Sequence, residues 1–412
     1  MTRFVRGFNR LELADRFRKR GQSMPTPVKL KPDPDYRPNP ERAIFVQGTI
    51  DQALVDRLTP QILLLQARGR EPITVYIDSG GGSTYHFDTL TRLLKASDQD
   101  FAPPCRIITC VTNFAASAAA DLLVWGNYAV ATRGSTVYFH GVRTKLAKPL
   151  TAEEASQFTD SLRSSNTQYA ISLAEQCKIR FFDRLMRAWS RTAEGQTQPP
   201  QTRHLGWLVE TLRSQTTPGA HAVLERAEKR RSRAVELSAR VLRNRAVMRR
   251  FDKLTALADV EFEGAVLKEL ISIETKANRH DKDWSFSNLG LKQLRDDFLL
   301  IVEYIGHHST EPLNPIIEIF GDSMLTEDQC AQLEGMPPEN REKQRHTMLF
   351  RALLHPWLFL LALCQTLQTG ENELTAKDAF WLGLIDEVIG DIDYAPFRLF
   401  VEYQSGTESE TP

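Results

Sequence analysis

Cysteine is scarce. The 412 residues hold five, at 105, 110, 177, 330 and 364, odd in number and without a Cys-x-x-Cys pair. That scatter excludes a disulfide framework and a cysteine-based zinc site, and it fits buried thiols in a reducing compartment, with the cytoplasm as the expected location. An excess of one charge is also missing: Lys plus Arg number 52 and Asp plus Glu number 52. No global field therefore draws the chain to nucleic acid or to an anionic membrane. Long hydrophobic runs are lacking too. The longest, "LLHPWLFLLALCQTL", is interrupted by Pro356 and falls short of the roughly 20 residues of a membrane span, so it reads as a buried helix. His-Glu-x-x-His, GxGxxG and a terminal Gly-Lys-Ser/Thr are all absent, which leaves no expected metal, no cofactor and no nucleotide motor of its own. The basic start, "MTRFVRGFNRLELADRFRKRGQ", has no apolar core of the kind a secretory signal carries.

What is present is periodicity of two kinds. After a basic segment and a proline-rich linker (residues 1–42), "RAIFVQG", "PITVYID" and "CRIITCVT" read as strands. Between them, "DQALVDRLTPQILLLQARG" and "STYHFDTLTRLLKA" carry helical apolar spacing, the first behind an Asp51 cap. Strands alternating with helices predict an α/β fold with a largely parallel sheet over residues 43–186. Residues 187–345 are helical in pattern, 346–403 return to the core through "GENELTAKDAFWLGLIDEVIGD", and 404–412 read as a disordered tail.

Three stretches carry chemistry. "YIDSGGG" ends a strand in Gly80, Gly81 and Gly82, where unobstructed backbone N–H groups can face a ligand. "AASAAA" places Ser117 between a buried strand and a helix, so the positive helix end and the Ala118 N–H meet the hydroxyl. "STVYFH" delivers His140 at a strand end, where a general base can meet a nucleophile. Alone, each has a plainer reading: a tight turn, a helix N-cap, a structural histidine. Their order is what argues for a site.

In that order, "ERAIFVQGTIDQALVDRLTPQILLLQ", "ITVYIDSGGGSTYHFDTLTRLLK", "AASAAADLLVWG", "YFH" and "LTAKDAFWLGLIDEVI" resemble the proteolytic subunit of Clp protease, over about residues 40–185 and 370–390. The resemblance implies a ClpP/crotonase-like layered core of repeated β-β-α units, here with an inserted mainly α-helical domain. It implies a serine-type endopeptidase (a hydrolase) acting on a peptide or protein substrate. Ser117 would be the nucleophile, His140 the general base, and the N–H groups of Gly82 and Ala118 the oxyanion hole. Counting back from "GLID" puts the third triad member at Glu371, with Asp322 in "EIFGDSML" as its rival. The resemblance also implies a homo-oligomer served by a separate AAA+ ATPase unfoldase. The chain departs from the family at Asn113, where glycine is usual, at "SGGG" for "SPGG", and at "HGV" for "HQP". Two other readings follow. One is a catalytically degenerate scaffold or regulatory subunit. The other is a ligand- or nucleic-acid-sensing protein acting through the basic stretch from Arg226 to Lys253, including Arg230, Arg231 and Arg233. Interleaved Glu225, Glu228 and Glu236 favour a solvated helix face over a nucleic-acid surface.

Overall fold

The computed structural model describes residues 31–32, 37–96, 104–144, 149–192, 206–243, 265–270, 272, 290–306, 313–320, 324–391, 394 and 399–400. The basic N-terminal segment, most of the linker, the C-terminal tail, residues 244–253 of the basic stretch and Asp322 lie outside the described residues.

Alternation of β-branched and apolar residues builds a seven-stranded sheet: β1 (Ala43–Ile50), β2 (Ile73–Gly82), β3 (Ile107–Ala116), β4 (Tyr128–Thr132), β5 (Thr136–Phe139), β6 (Asn372–Thr375) and β7 (Glu387–Ile389). The main path runs β1-β2-β3-β4-β7 and is parallel throughout. Ile73, Val75, Ile77, Ile107 and Val111 are fully buried, as a sheet covered by helices requires. Strand β3 changes neighbour along its length. Ile108 to Val111 pair with β4, whereas Phe114 to Ala116 pair with β5. The chain thereby turns out of the main sheet just before Ser117. Antiparallel β6 then closes on β5, with Phe139 opposite Asn372.

Helices α1 (Gln52–Arg68), α2 (Thr84–Leu94) and α3 (Ala118–Trp125) connect the parallel strands. The first is capped as the sequence predicts, the Leu54 N–H donating to the Asp51 carboxylate at 3.0 Å. The long α4 (Ala152–Thr192) leaves the sheet as a 41-residue handle. Its Arg180 donates to the carbonyls of Leu384 (2.8 Å) and Val124 (2.9 Å), tying the "GLID" loop to the handle.

The helical region comprises α5 (Gly206–Arg213), α6 (Pro218–Arg243), α7 (Gly290–Gly306), α8 (Asn314–Phe320), α9 (Glu327–Glu334) and α10 (Pro338–Leu367); α11 (Ala376–Trp381) follows β6. It is not a separate bead. Leu224, Leu237, Leu300 and Leu361 belong to the same continuous core as Ile44, Val75 and Leu122. The apolar run around Pro356 sits in α10, a 30-residue helix long and apolar enough by composition to cross a membrane. Its most apolar window is 72% buried inside the fold. That makes it a core helix, longer than the apolar run alone suggests.

Part of the basic face of α6 turns inward: Arg231 is buried and Arg230 and Arg233 half-buried, while Arg226 and Lys229 stay exposed. Arg230 and Arg233 both pair with Asp297 of α7, which is 1% exposed, and Arg231 pairs with Glu228. The three arginines considered for nucleic acid thus already have anionic partners. The solvated-face expectation describes Glu225, Arg226, Lys229 and Glu236 but not Arg230 and Arg233, to which α7 brings a buried carboxylate that periodicity along α6 alone does not reveal.

Candidate active site

Ser117 stands alone between the end of β3 and the start of α3, with φ 55° and ψ −129°. Among the described residues it is the only non-glycine with positive φ. An L side chain in such a region costs on the order of 1–3 kcal/mol and persists where the surroundings enforce it. Here they do. The Ser117 N–H donates to the Tyr138 carbonyl at 2.8 Å, and its own carbonyl accepts from the N–H groups of Ala120 and Asp121. The side chain makes no capping hydrogen bond, which removes the N-cap explanation for a serine at this place. A sharp strand-to-helix turn of this kind lifts a hydroxyl out of the sheet and leaves it free to react.

Gly81 is what makes the turn fit. It has φ 86°. A Cβ on it would lie 2.4 Å from the Ala116 carbonyl oxygen, 2.7 Å from Ser117 Cβ and 3.1 Å from the Ala118 nitrogen. The middle glycine of the triplet is therefore the one against the serine, a role that the sequence reading gave to no residue. Gly82 serves differently. The next N–H, that of Ser83, donates to the Ile50 carbonyl on β1 at 2.9 Å. A Cβ on Gly82 would lie 2.3 Å from the Ile50 carbonyl oxygen, so the chain passes close against β1 there. Ala118 opens α3, and the helix dipole at that N-terminus favours negative charge.

His140 follows β5 by one residue. Parallel pairing of Ala116 with Tyr138 brings the start of the serine turn beside the strand that carries the imidazole. Its Nδ1 lies 2.6 Å from the Gly141 carbonyl oxygen. A carbonyl only accepts, so Nδ1 carries the proton; in the neutral ring Nε2 is then the basic nitrogen. The segment beyond is fastened to α4 by the Val142 N–H, which donates to Asn166 Oδ1 at 2.8 Å.

Glu371 precedes β6 by one residue, so the antiparallel register that sets Asn372 opposite Phe139 puts Glu371 across from His140. Its carboxylate is engaged by Arg143 at 2.5 Å, and a hydrogen bond from Tyr138 and the Arg143 charge hold it below the usual glutamate range. The positive character of His140 lowers it further, so the two groups feel each other through charge. Both Arg143 and Glu371 are exposed, which keeps this ion pair weak. Arg143 escapes a sequence reading because it lies 228 residues from its partner. The Asn113 amide donates to Asp78 at 3.2 Å and links β3 to β2 in place of the family's glycine. Among the described residues no cluster of His, Cys, Asp and Glu could hold a metal ion.

Residues 36–178 match the family model for Clp protease. Over those residues the chain is similar to Clp protease. The match begins before β1 and ends inside α4, so it spans Gly81, Gly82, Ser117 and His140 and leaves Glu371 beyond it. No curated protein matches the chain.

Proposed function

We propose that this Clp protease-like chain is a serine endopeptidase. The observation that carries the proposal is the enforced positive-φ turn at Ser117, packed against Gly81 and held to the strand that leads to His140. His140 Nε2 takes the Ser117 proton as Oγ attacks a peptide carbonyl. The N–H groups of Gly82 and Ala118 receive the developing oxyanion, a single such donor being worth about 2.7–4 kcal/mol. His140 then passes the proton to the leaving amine, and water hydrolyses the acyl-enzyme with the same imidazole as base. Assembly into a homo-oligomer, with a separate ATPase delivering unfolded substrate, belongs to the same proposal.

Mass spectrometry after fluorophosphonate treatment tests it. An adduct on Ser117 is expected in the native chain and should be lost in Ser117→Ala and His140→Ala. One observation favours a second reading, a degenerate scaffold subunit: the imidazole is oriented by a backbone carbonyl, and the nearest acid is occupied by Arg143. An unlabelled Ser117 in a folded chain would select that reading.

A further inference from the structure

A cleft of about 350 Å³ opens between α2, α3 and α4, closed on one side by Val142. Its walls begin where the site's elements begin. Thr84 is two residues past Gly82, Val142 is two past His140, and Asp121 is one turn into the helix that Ser117 starts. Three of its walls thus follow Gly82, Ser117 and His140 closely along the chain.

The lining is unusual for a recess beside apolar helices. It contains two carboxylates, Asp88 and Asp121, and no Lys, Arg or His. Burial holds both carboxyls above their usual range, Asp121 at about 7. The polar partner of Asp121 is neutral, the Gln368 amide at 2.7 Å. The charge of Arg92, exposed on the same helix and outside the lining, partly offsets the effect of burial on Asp88. Tyr169, hydrogen-bonded to Thr84, and Gln168 add further acceptors, while Phe87 and Trp125 supply flat walls. Trp125 already receives one cation, Lys95 Nζ, at 4.3 Å from its ring centroid.

We propose that this cleft is the specificity pocket of the peptidase and that Asp88 and Asp121 make it select a lysine or arginine immediately before the scissile bond. The proposal deepens the peptidase reading and rests on it for its catalytic meaning. An alkyl stem lies along the aromatic walls while its ammonium or guanidinium meets carboxylates, a hydroxyl and an amide oxygen, all acceptors matched to its donors. An apolar side chain would bring no donor and would cover Asp88 from water, at a cost on the order of 1–3 kcal/mol for a group left unsatisfied.

Two readouts separate this proposal from the peptidase reading. Benzamidine, an aromatic amidinium, is titrated calorimetrically into the full-length Ser117→Ala chain. Saturable binding is expected, weakened about tenfold or more in Asp121→Asn and in Asp88→Asn, the loss of a charge-assisted contact. Benzyl alcohol, neutral and of similar shape, should not bind. In the native chain, peptides with Arg or Lys before the scissile bond should be cleaved with kcat/KM about tenfold or more above the Leu peptide, and Asp121→Asn should erase that ratio. Absence of benzamidine binding to the folded chain, or a preference for Leu unchanged by both substitutions, overturns the pocket proposal. A small uncharged fluorophosphonate reports on Ser117 independently. Labelling without benzamidine binding leaves the peptidase and removes the cationic pocket; benzamidine binding without labelling leaves a cation site and removes the peptidase.

Discussion

Ser117 and Gly81 hold each other in place, and their substitutions should move stability in opposite directions. Glycine accepts φ 55° without a Cβ penalty, so Ser117→Gly should raise the unfolding free energy by about 1 kcal/mol while abolishing fluorophosphonate labelling. Gly81→Ala places a methyl 2.4 Å from a carbonyl oxygen. It should lower stability by more than about 1 kcal/mol and abolish labelling while the serine itself is retained. Thermal melts of the two variants beside the parent check both signs. Glu371→Gln is the third case. Because a backbone carbonyl already fixes the His140 tautomer, the loss in kcat should stay within about tenfold, against about ten-thousandfold where a triad acid alone sets the tautomer. A larger loss would show that Glu371 swings onto His140 during turnover. Ser117 and His140 were legible because each sits in a short contiguous motif. Gly81 was not, since a run of three glycines does not say which one turns. Nor was the Gly141 carbonyl, because a backbone acceptor leaves no mark in a sequence.

At the scale of elements, α6 grips the strand that bears Glu371. Arg226 donates to the buried Asn372 at 2.6 Å, Arg230 to Thr369 at 3.3 Å, and the Thr217 N–H to Asp378 at 2.7 Å. Arg226→Ala should cost about 1.5–3 kcal/mol, the range for a hydrogen bond to a charged group, and should slow Ser117 labelling by loosening β6. Chemical denaturation and labelling rates measure the two effects. Helix α3 supplies a pH test. Burial lifts the Asp121 carboxyl from its usual 3.8 to about 7. A carboxyl raised on folding favours the native state below its unfolded value and loses that contribution as pH rises through the folded one. The native chain should therefore lose stability relative to Asp121→Asn between pH 3.8 and about 7, as melts across that range would show. The strands and α1 to α3 were legible from period and caps. The inward face of α6 was not, because its anionic partner Asp297 lies on another helix.

For the whole molecule, the helical region and the sheet share one apolar core, so neither half should stand alone. Deletion of 206–243 removes buried Leu208, Val223, Leu224 and Leu237, each worth about 1.5–3 kcal/mol of burial. The truncated chain should be insoluble or lack a cooperative melt; a soluble, sharply melting product would show an autonomous Clp protease domain. Periodicity predicted an α/β core followed by a helical region. It did not reveal their fusion, because a hydrophobic pattern marks which residues are buried and not against what.

The pairing of β5 with β6 also sets a timetable. Phe139 leaves the ribosome long before its partner Asn372, and α10, which seals the core, comes only just ahead of that partner. A contact of such sequence separation cannot form until nearly the whole chain is made. Until then the part of the core that α10 covers remains open, and α10, with the hydropathy of a membrane segment, emerges only after α4, α6 and α7, against which it packs. Late closure therefore makes the newborn chain a natural client for chaperones. It also delays completion of the region around Ser117, so a half-made peptidase would have no finished site with which to cut its neighbours.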